Sequence, residues 1–314
     1  ERKVGMGIAG QPSGATDVAD VFSTHLYTGT GSAQTITNGI DLAGKGGLVW
    51  LKGRSNADEH ALIDTERGDN KALSSSSTAV EASETGFGSF LSDGFSFVNG
   101  GAWYNIQQNN RTYASWTFRK KEKFFDVLTW TGNGFNGGRE IPHTLDGPVG
   151  MVVVKTRSIA YEPWYVWHKG APSKYSFLNT SGAASTTSAQ YMFGDKTNVV
   201  NPTSSVITVT NALNTNGGTY VAYVFADNSS EDSEEQMIKC GSYTGNGSAN
   251  GPVVNLGWQP QWLLIKNATN AENWYIFDTM RGIATGGGGY TGNSVSGVEY
   301  LLANSNALAD EPSN

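Results

Sequence analysis

An aspartate and an arginine three residues apart recur in one short frame. Asp64-Thr65-Glu66-Arg67-Gly68 is matched by Asp278-Thr279-Met280-Arg281-Gly282. A carboxylate and a guanidinium at this spacing can close a turn. Asp then takes a local backbone hydrogen bond, and Arg pairs with it or stacks on an aromatic ring. The same pair can instead face a ligand once per repeat. Trp164 and Trp274 would then serve as platforms on which a sugar ring stacks. The candidate ligand-binding residues are therefore Asp64, Arg67, Trp164, Trp274, Asp278 and Arg281.

Other chemistry finds little support. The histidines His25, His60, His143 and His168 lack metal-ligand spacing. Calcium needs clustered oxygen ligands, for which Asp58 with Glu59, and Asp93, are weak candidates. There is no Gly-x-Ser-x-Gly nucleophile elbow, and no carboxylate pair stands out as a glycosidase couple. Gly-x-Gly recurs at 29/31, 132/134 and 245/247, with no Gly-Lys-Ser/Thr and no helix after it to bind phosphate. It reads as a turn between strands, and Gly286 to Gly289 as a flexible loop. Cys240 is the single cysteine, so no internal disulfide frames the fold. We assign no catalytic residue, no metal ligand and no cofactor, and expect the chain not to be an enzyme.

The elements that must position these residues repeat as well. Tyr27-Thr28-Gly29, Trp130-Thr131-Gly132 and Tyr243-Thr244-Gly245 open three similar segments. Each opening is followed by an apolar run ending in lysine: Leu48 to Lys52, Met151 to Lys155 and Trp262 to Lys266. The Asp/Arg frame comes next, reduced in the middle copy to Val166-Trp167-His168-Lys169-Gly170. A closing strand, Tyr113 to Phe118 or Tyr220 to Phe225, ends the first two copies, and the third lacks one. The expected organisation is a lead-in over 1–20, then modules over 21–122, 123–235 and 236–314. The charged runs 119–123 and 228–235 read as exposed connectors. An unfinished sandwich would leave bare strand edges, so the natural chain is expected to continue.

Composition agrees with short strands and tight turns. Glycine numbers 40 of 314 residues, aromatics reach 11% and charged residues only 16%. The net charge of −7 argues against nucleic acid as a partner and against an anionic membrane surface. No apolar run is long enough to span a bilayer as a helix. In the closing strand, Ala114, Trp116 and Phe118 alternate with Tyr113, Ser115 and Thr117, which predicts one buried face. The runs ending in lysine are apolar throughout and read as strands buried on both faces. The predicted fold class is all-β: tandem two-sheet β-sandwich modules of the lectin-like jelly-roll type, with the third of three repeats incomplete.

Taken as a set, the Tyr-Thr-Gly opening, the apolar run with its lysine, the Asp-Thr-x-Arg-Gly frame and the Phe-Arg-Lys or Phe-Ala-Asp ending resemble a family of repeat-containing virion proteins. These are found in phages of marine bacteria, and the likeness covers nearly the whole chain from about residue 21. The resemblance implies a structural protein on the virion exterior, in a tail fibre or appendage that contacts the host surface. It transfers no catalytic residue. The expected partners are other virion proteins, further copies of the chain in a homo-oligomer (a trimer first), and a host-surface glycan or receptor. The alternative is a capsid-decorating or adaptor protein with no receptor role.

Overall fold

The computed structural model describes residues 17–98, 104–229, 236–248, 250–283 and 299–308. Most of the lead-in, the connector residues 230–235 and the glycine run 286–289 lie outside these.

Among the described residues the first module holds nine strands: β1 Phe22–Thr28, β2 Gln34–Thr37, β3 Gly47–Gly53, β4 Ala61–Asp64, β5 Lys71–Ala72, β6 Ala82–Ser83, β7 Phe87–Leu91, β8 Gly94–Phe97 and β9 Thr112–Arg119. Its main sheet runs β1-β9-β3-β4, and a smaller sheet, β2-β8-β7, packs over it. The first strand pairs with the last, Tyr27 opposite Tyr113, and the second with the next to last, Ile36 opposite Phe95. This nesting is the jelly-roll element of an all-β sandwich. Between the sheets lies a core of Tyr27, Ile36, Val49, Leu51, Ile63, Phe95, Phe97 and Tyr113.

The second module repeats the plan with β10 Phe125–Thr131, β11 Arg139–Pro142, β12 Val149–Thr156, β13 Tyr165–His168, β14 Ser176–Phe177, β15 Val206–Val209 and β16 Thr219–Ala226. The main sheet is β10-β16-β12-β13-β14, and β11-β15 covers it. Among the described residues the third module has β17 Trp262–Lys266, β18 Trp274–Asp278 and β19 Leu301–Leu302 in a single sheet.

The modules are not strung apart. A further apolar cluster joins them, with Leu48, Trp50, Trp116 and Phe118 from the first, Phe125, Val153, Trp164 and Tyr223 from the second, and Trp274, Ile276 and Leu301 from the third. Each complete main sheet is therefore covered twice, by its own small sheet and by the neighbouring modules. This explains the continuous apolar runs: every residue of β3 and of β12 is buried. It also corrects the closing strand. The alternation in β9 separates two cores rather than a core from solvent, because Tyr113 enters the module's own core while Ala114, Trp116 and Phe118 enter the shared one. Ser115 and Thr117 are buried too, their hydroxyls bonded to the His25 carbonyl and the Asn38 amide.

The turns after the opening strands need their glycines. A β-carbon on Gly29 would strike the backbone of Gln107 and Gln108, and Gly31 has φ of +67°.

Candidate functional site

Asp64 ends β4, and its Oδ1 accepts the backbone N–H groups of Glu66 and Arg67, 3.1 and 3.0 Å away. This local turn aims the guanidinium back along the strand. Arg67 donates Nε to Asp64 Oδ2 at 2.5 Å and Nη2 to the Leu62 carbonyl at 2.6 Å. Both side chains are buried within the molecule. The remaining bonds cross to the second module. The hydroxyl of Tyr223, on β16, donates to Asp64 Oδ2 at 2.9 Å and accepts from Arg67 Nη2 at 3.1 Å. The Trp164 ring lies against that of Tyr223 with centroids 6.1 Å apart.

The second copy of the frame does the same to a different neighbour. Asp278 Oδ1 accepts the Arg281 N–H, and Arg281 Nε donates to Asp278 Oδ2 at 2.6 Å. Trp116 of the first module donates its indole N–H to Asp278 Oδ2 at 2.9 Å, and the guanidinium lies 5.5 Å from the Trp116 ring. Trp116 and Tyr223 occupy the same place in their closing strands, opposite Trp50 and Val153. The frame thus docks the first module on the second and the third on the first. In the middle module His168 stands in the aspartate's register, opposite Met151 as Asp64 is opposite Leu48. The charges at that corner are exchanged: Lys120 pairs with Glu66 in the first module, whereas Lys169 pairs with Asp227 in the second.

A second ring of contacts runs the other way. The indole N–H of Trp164 donates to the Ser74 carbonyl at 2.8 Å, and that of Trp274 to the Phe177 carbonyl at 3.0 Å. In the first module the place is taken by His60, whose Nε2 meets the carbonyls of Leu302 and Ser305 at 2.9 and 3.1 Å. The three lysines follow the same rule. Lys155 reaches the Thr78 carbonyl, Lys266 that of Ser181 and Lys52 that of Asn306. Each acceptor in this lysine set lies four residues beyond a carbonyl that takes a ring nitrogen: Thr78 after Ser74, Ser181 after Phe177 and Asn306 after Leu302. The second module ties to the first, the third to the second, and the first to the third. Arg157 with Glu81, and Arg54 with Glu299, add ion pairs across two of these seams.

The electrostatics follow from burial. Desolvation pulls the Lys52 and Lys155 ammonium groups down to about 8, and lowers that of the half-exposed Lys266 as well. His60 falls to about 3, first through burial and then through the Lys52 charge. Its bonds agree. Nδ1 accepts the Trp50 indole N–H at 2.8 Å, so the ring is neutral with its proton on Nε2. Arg67 and Arg281 part company. Burial works against both charges. Asp64, Tyr223 and Glu81 outweigh it at Arg67 and push its value up, whereas Arg281 is pulled down. The geometry gives the reason: Arg67 Nη1 has Glu81 at 3.3 Å, while Arg281 Nη1 is buried with no hydrogen-bond partner among the described residues.

All six candidate residues are buried. Asp64, Arg67 and Trp164 converge on Tyr223, Asp278 and Arg281 converge on Trp116, and Trp274 stands apart against Phe177. What this arrangement does chemically is join modules. Sequence reasoning missed the receiving groups Tyr223 and Trp116, the third ring member His60, and the work of the three lysines. A lysine after every apolar run was the available signal, because a cation inside a strand buried on both faces needs dedicated acceptors. Among the described residues no three His, Cys, Asp or Glu side chains gather as metal ligands. A cleft of about 170 Å³ lies between Phe22, Ser23 and Asn38 of the first module and Gln261, Thr279 and Met280 of the third. It is smaller than the ~300–1,000 Å³ usual for small-molecule sites.

No curated protein and no solved structure matches the chain. A family described as a domain of unknown function, DUF7483, matches residues 17–295, which takes in the first two modules and most of the third. With the match running over most of its length, the chain belongs to the DUF7483 family.

Proposed function

We propose that the protein is a structural component of a phage virion, carried on the particle exterior in a tail fibre or appendage that contacts the host. The observation that carries this reading is the use to which the most reactive-looking groups are put. Two Asp/Arg pairs, three lysines and four ring N–H donors all serve contacts between modules, which suits a load-carrying body. The resemblance in the repeat motifs supports the same reading. Other virion proteins and further copies of the chain are the partners.

Host contact through glycans belongs to the proposal, and exposed aromatics would have to provide it. Tyr161 is 90% exposed and Phe135 56%, and both stand on loops of the second module. A stacked sugar would use such faces. A glycan array should give hits that Tyr161→Ala or Phe135→Ala abolishes. An array without hits, with and without calcium, removes glycan binding from the reading.

Antibody labelling of intact particles, viewed by electron microscopy, tests the placement. Label on the tail or its appendages is expected, and particles free of label would overturn the virion assignment. A compact capsid-decorating role is the second reading, favoured by the closure of three modules about one core within a single chain. Label confined to the head selects it.

A further inference from the structure

Among the described residues the third main sheet has no counterpart of the strand that completes the other two. In the first module β9 lies between β1 and β3, and in the second β16 lies between β10 and β12. Among the described residues nothing pairs with β17 on the side away from β18. Every residue of β17 is only half-buried, whereas β3 and β12 are buried throughout.

The opening segment of the third module is open in the same way. Tyr27 stacks on Tyr113 at 4.9 Å and Trp130 on Tyr220 at 5.3 Å, and each opening ring is over nine-tenths buried. The matching Tyr243 is 55% exposed. Gly29 and Gly132 press against the backbone just before the closing strand, and their N–H groups donate to the carbonyls of Arg111 and Gly218. Among the described residues a β-carbon on Gly245 would meet nothing within 4 Å. Gly31 and Gly134 touch Asn109 and Asn216, and Gly247 again meets nothing among the described residues. Residues 236–248 form no strand, although they match β1 and β10 in sequence. Beside the open edge, the buried Trp262 indole N–H has no acceptor among the described residues.

These are separate observations (a half-bare strand, an unstacked ring, unmet glycines, an orphan donor), and one missing object accounts for all of them. We propose that the edge of β17 away from β18 accepts an antiparallel polypeptide strand of the closing pattern, which would also meet the segment 239–247. That pattern has aromatics at its first, fourth and sixth places, as in Tyr220, Tyr223 and Phe225. The register follows from the finished modules. Phe118 pairs with Leu48, Trp116 with Trp50 and Tyr113 with Gly53 in the first, and Phe225 with Met151 and Tyr223 with Val153 in the second. The incoming strand sets its sixth residue opposite Trp262, its fourth opposite Leu264 and its first on the Tyr243 ring. Its backbone meets the bare N–H and C=O groups of β17, which is strand addition at a sheet edge. By the same rotation that sets Trp116 against Asp278 and Tyr223 against Asp64, its central aromatic faces His168. Gly170, two residues on, already abuts Gly241 and Ser242 at that seam.

A synthetic peptide with the sequence of residues 214–227, labelled at one end, tests this against the whole chain. It contains both the closing strand and the backbone that would meet Gly245. Saturable one-to-one binding by fluorescence anisotropy is expected, with slowed amide exchange at 239–247 and 262–266. A peptide with alanine in place of its central tyrosine and its phenylalanine should bind about ten-fold more weakly or worse, since each loses a buried aromatic. No binding, equal binding of the alanine peptide, or protection elsewhere on the molecule would overturn the proposal. So would a dimer of the chain that covers β17 and that the peptide cannot displace.

Discussion

Arg67 shows what a buried ion pair commits a fold to. Its guanidinium holds Asp64, Glu81, the Leu62 carbonyl and the Tyr223 hydroxyl together. Removing it strands the Asp64 carboxylate away from water. Arg67→Met should therefore cost about 3–5 kcal/mol in urea unfolding. Arg281→Met should cost less, because among the described residues Arg281 has no counterpart of Glu81 and its Nη1 has no hydrogen-bond partner. Equal losses would show that the two sites are not ranked as the geometry ranks them. His60 gives a pH signature. Folded, it resists protonation until about pH 3, while the unfolded chain takes the proton near 6.5. Its contribution is complete above pH 6.5 and is lost as pH falls through the window from 6.5 to 3. His60→Gln should flatten that part of the curve of melting temperature against pH, and an unchanged curve would contradict the assignment. The Asp/Arg turn was legible in the sequence because it is local, a hydrogen bond across three residues. Its targets were not. Asp64 meets Tyr223 across 159 positions and Asp278 meets Trp116 across 162, and periodicity carries no information about which module a side chain will face.

At the scale of the element, the runs before each lysine were readable as doubly buried strands, and β3 and β12 are. β17 has the same apolar composition and is half-buried along its whole length. The difference lies in its neighbours. Composition reports what a strand can bury, and only topology reports whether a second strand arrives to bury it. Amides of β17 should accordingly exchange with deuterium much faster than those of β3 and β12, where each strand is bonded on both sides. Comparable protection in all three would mean that the third sheet is closed. The alternation of the closing strand was legible in the same partial way. Period two correctly divides its side chains into two sets, but both sets are apolar enough to be buried, so the pattern alone could not reveal a second core.

Across the whole molecule, the repeat was visible as three openings and three lysines, whereas the way the copies close on one another was not. That closure depends on groups that differ in type at equivalent places, such as His60 for Trp164 and Trp274, or Trp116 for Tyr223. Because the first two modules share a core that includes Trp116, Phe118, Phe125 and Phe225, they should unfold together. Calorimetry of the chain should show one transition for the pair, and two well-separated transitions would contradict a shared core. The central claim is that the Asp/Arg frame is a tie between modules. A double-mutant cycle of Asp64→Asn and Tyr223→Phe, read by urea unfolding, tests it most directly. Coupling of about 1–3 kcal/mol between these two residues of different modules is the predicted result, and losses that add to within about 0.5 kcal/mol would contradict it.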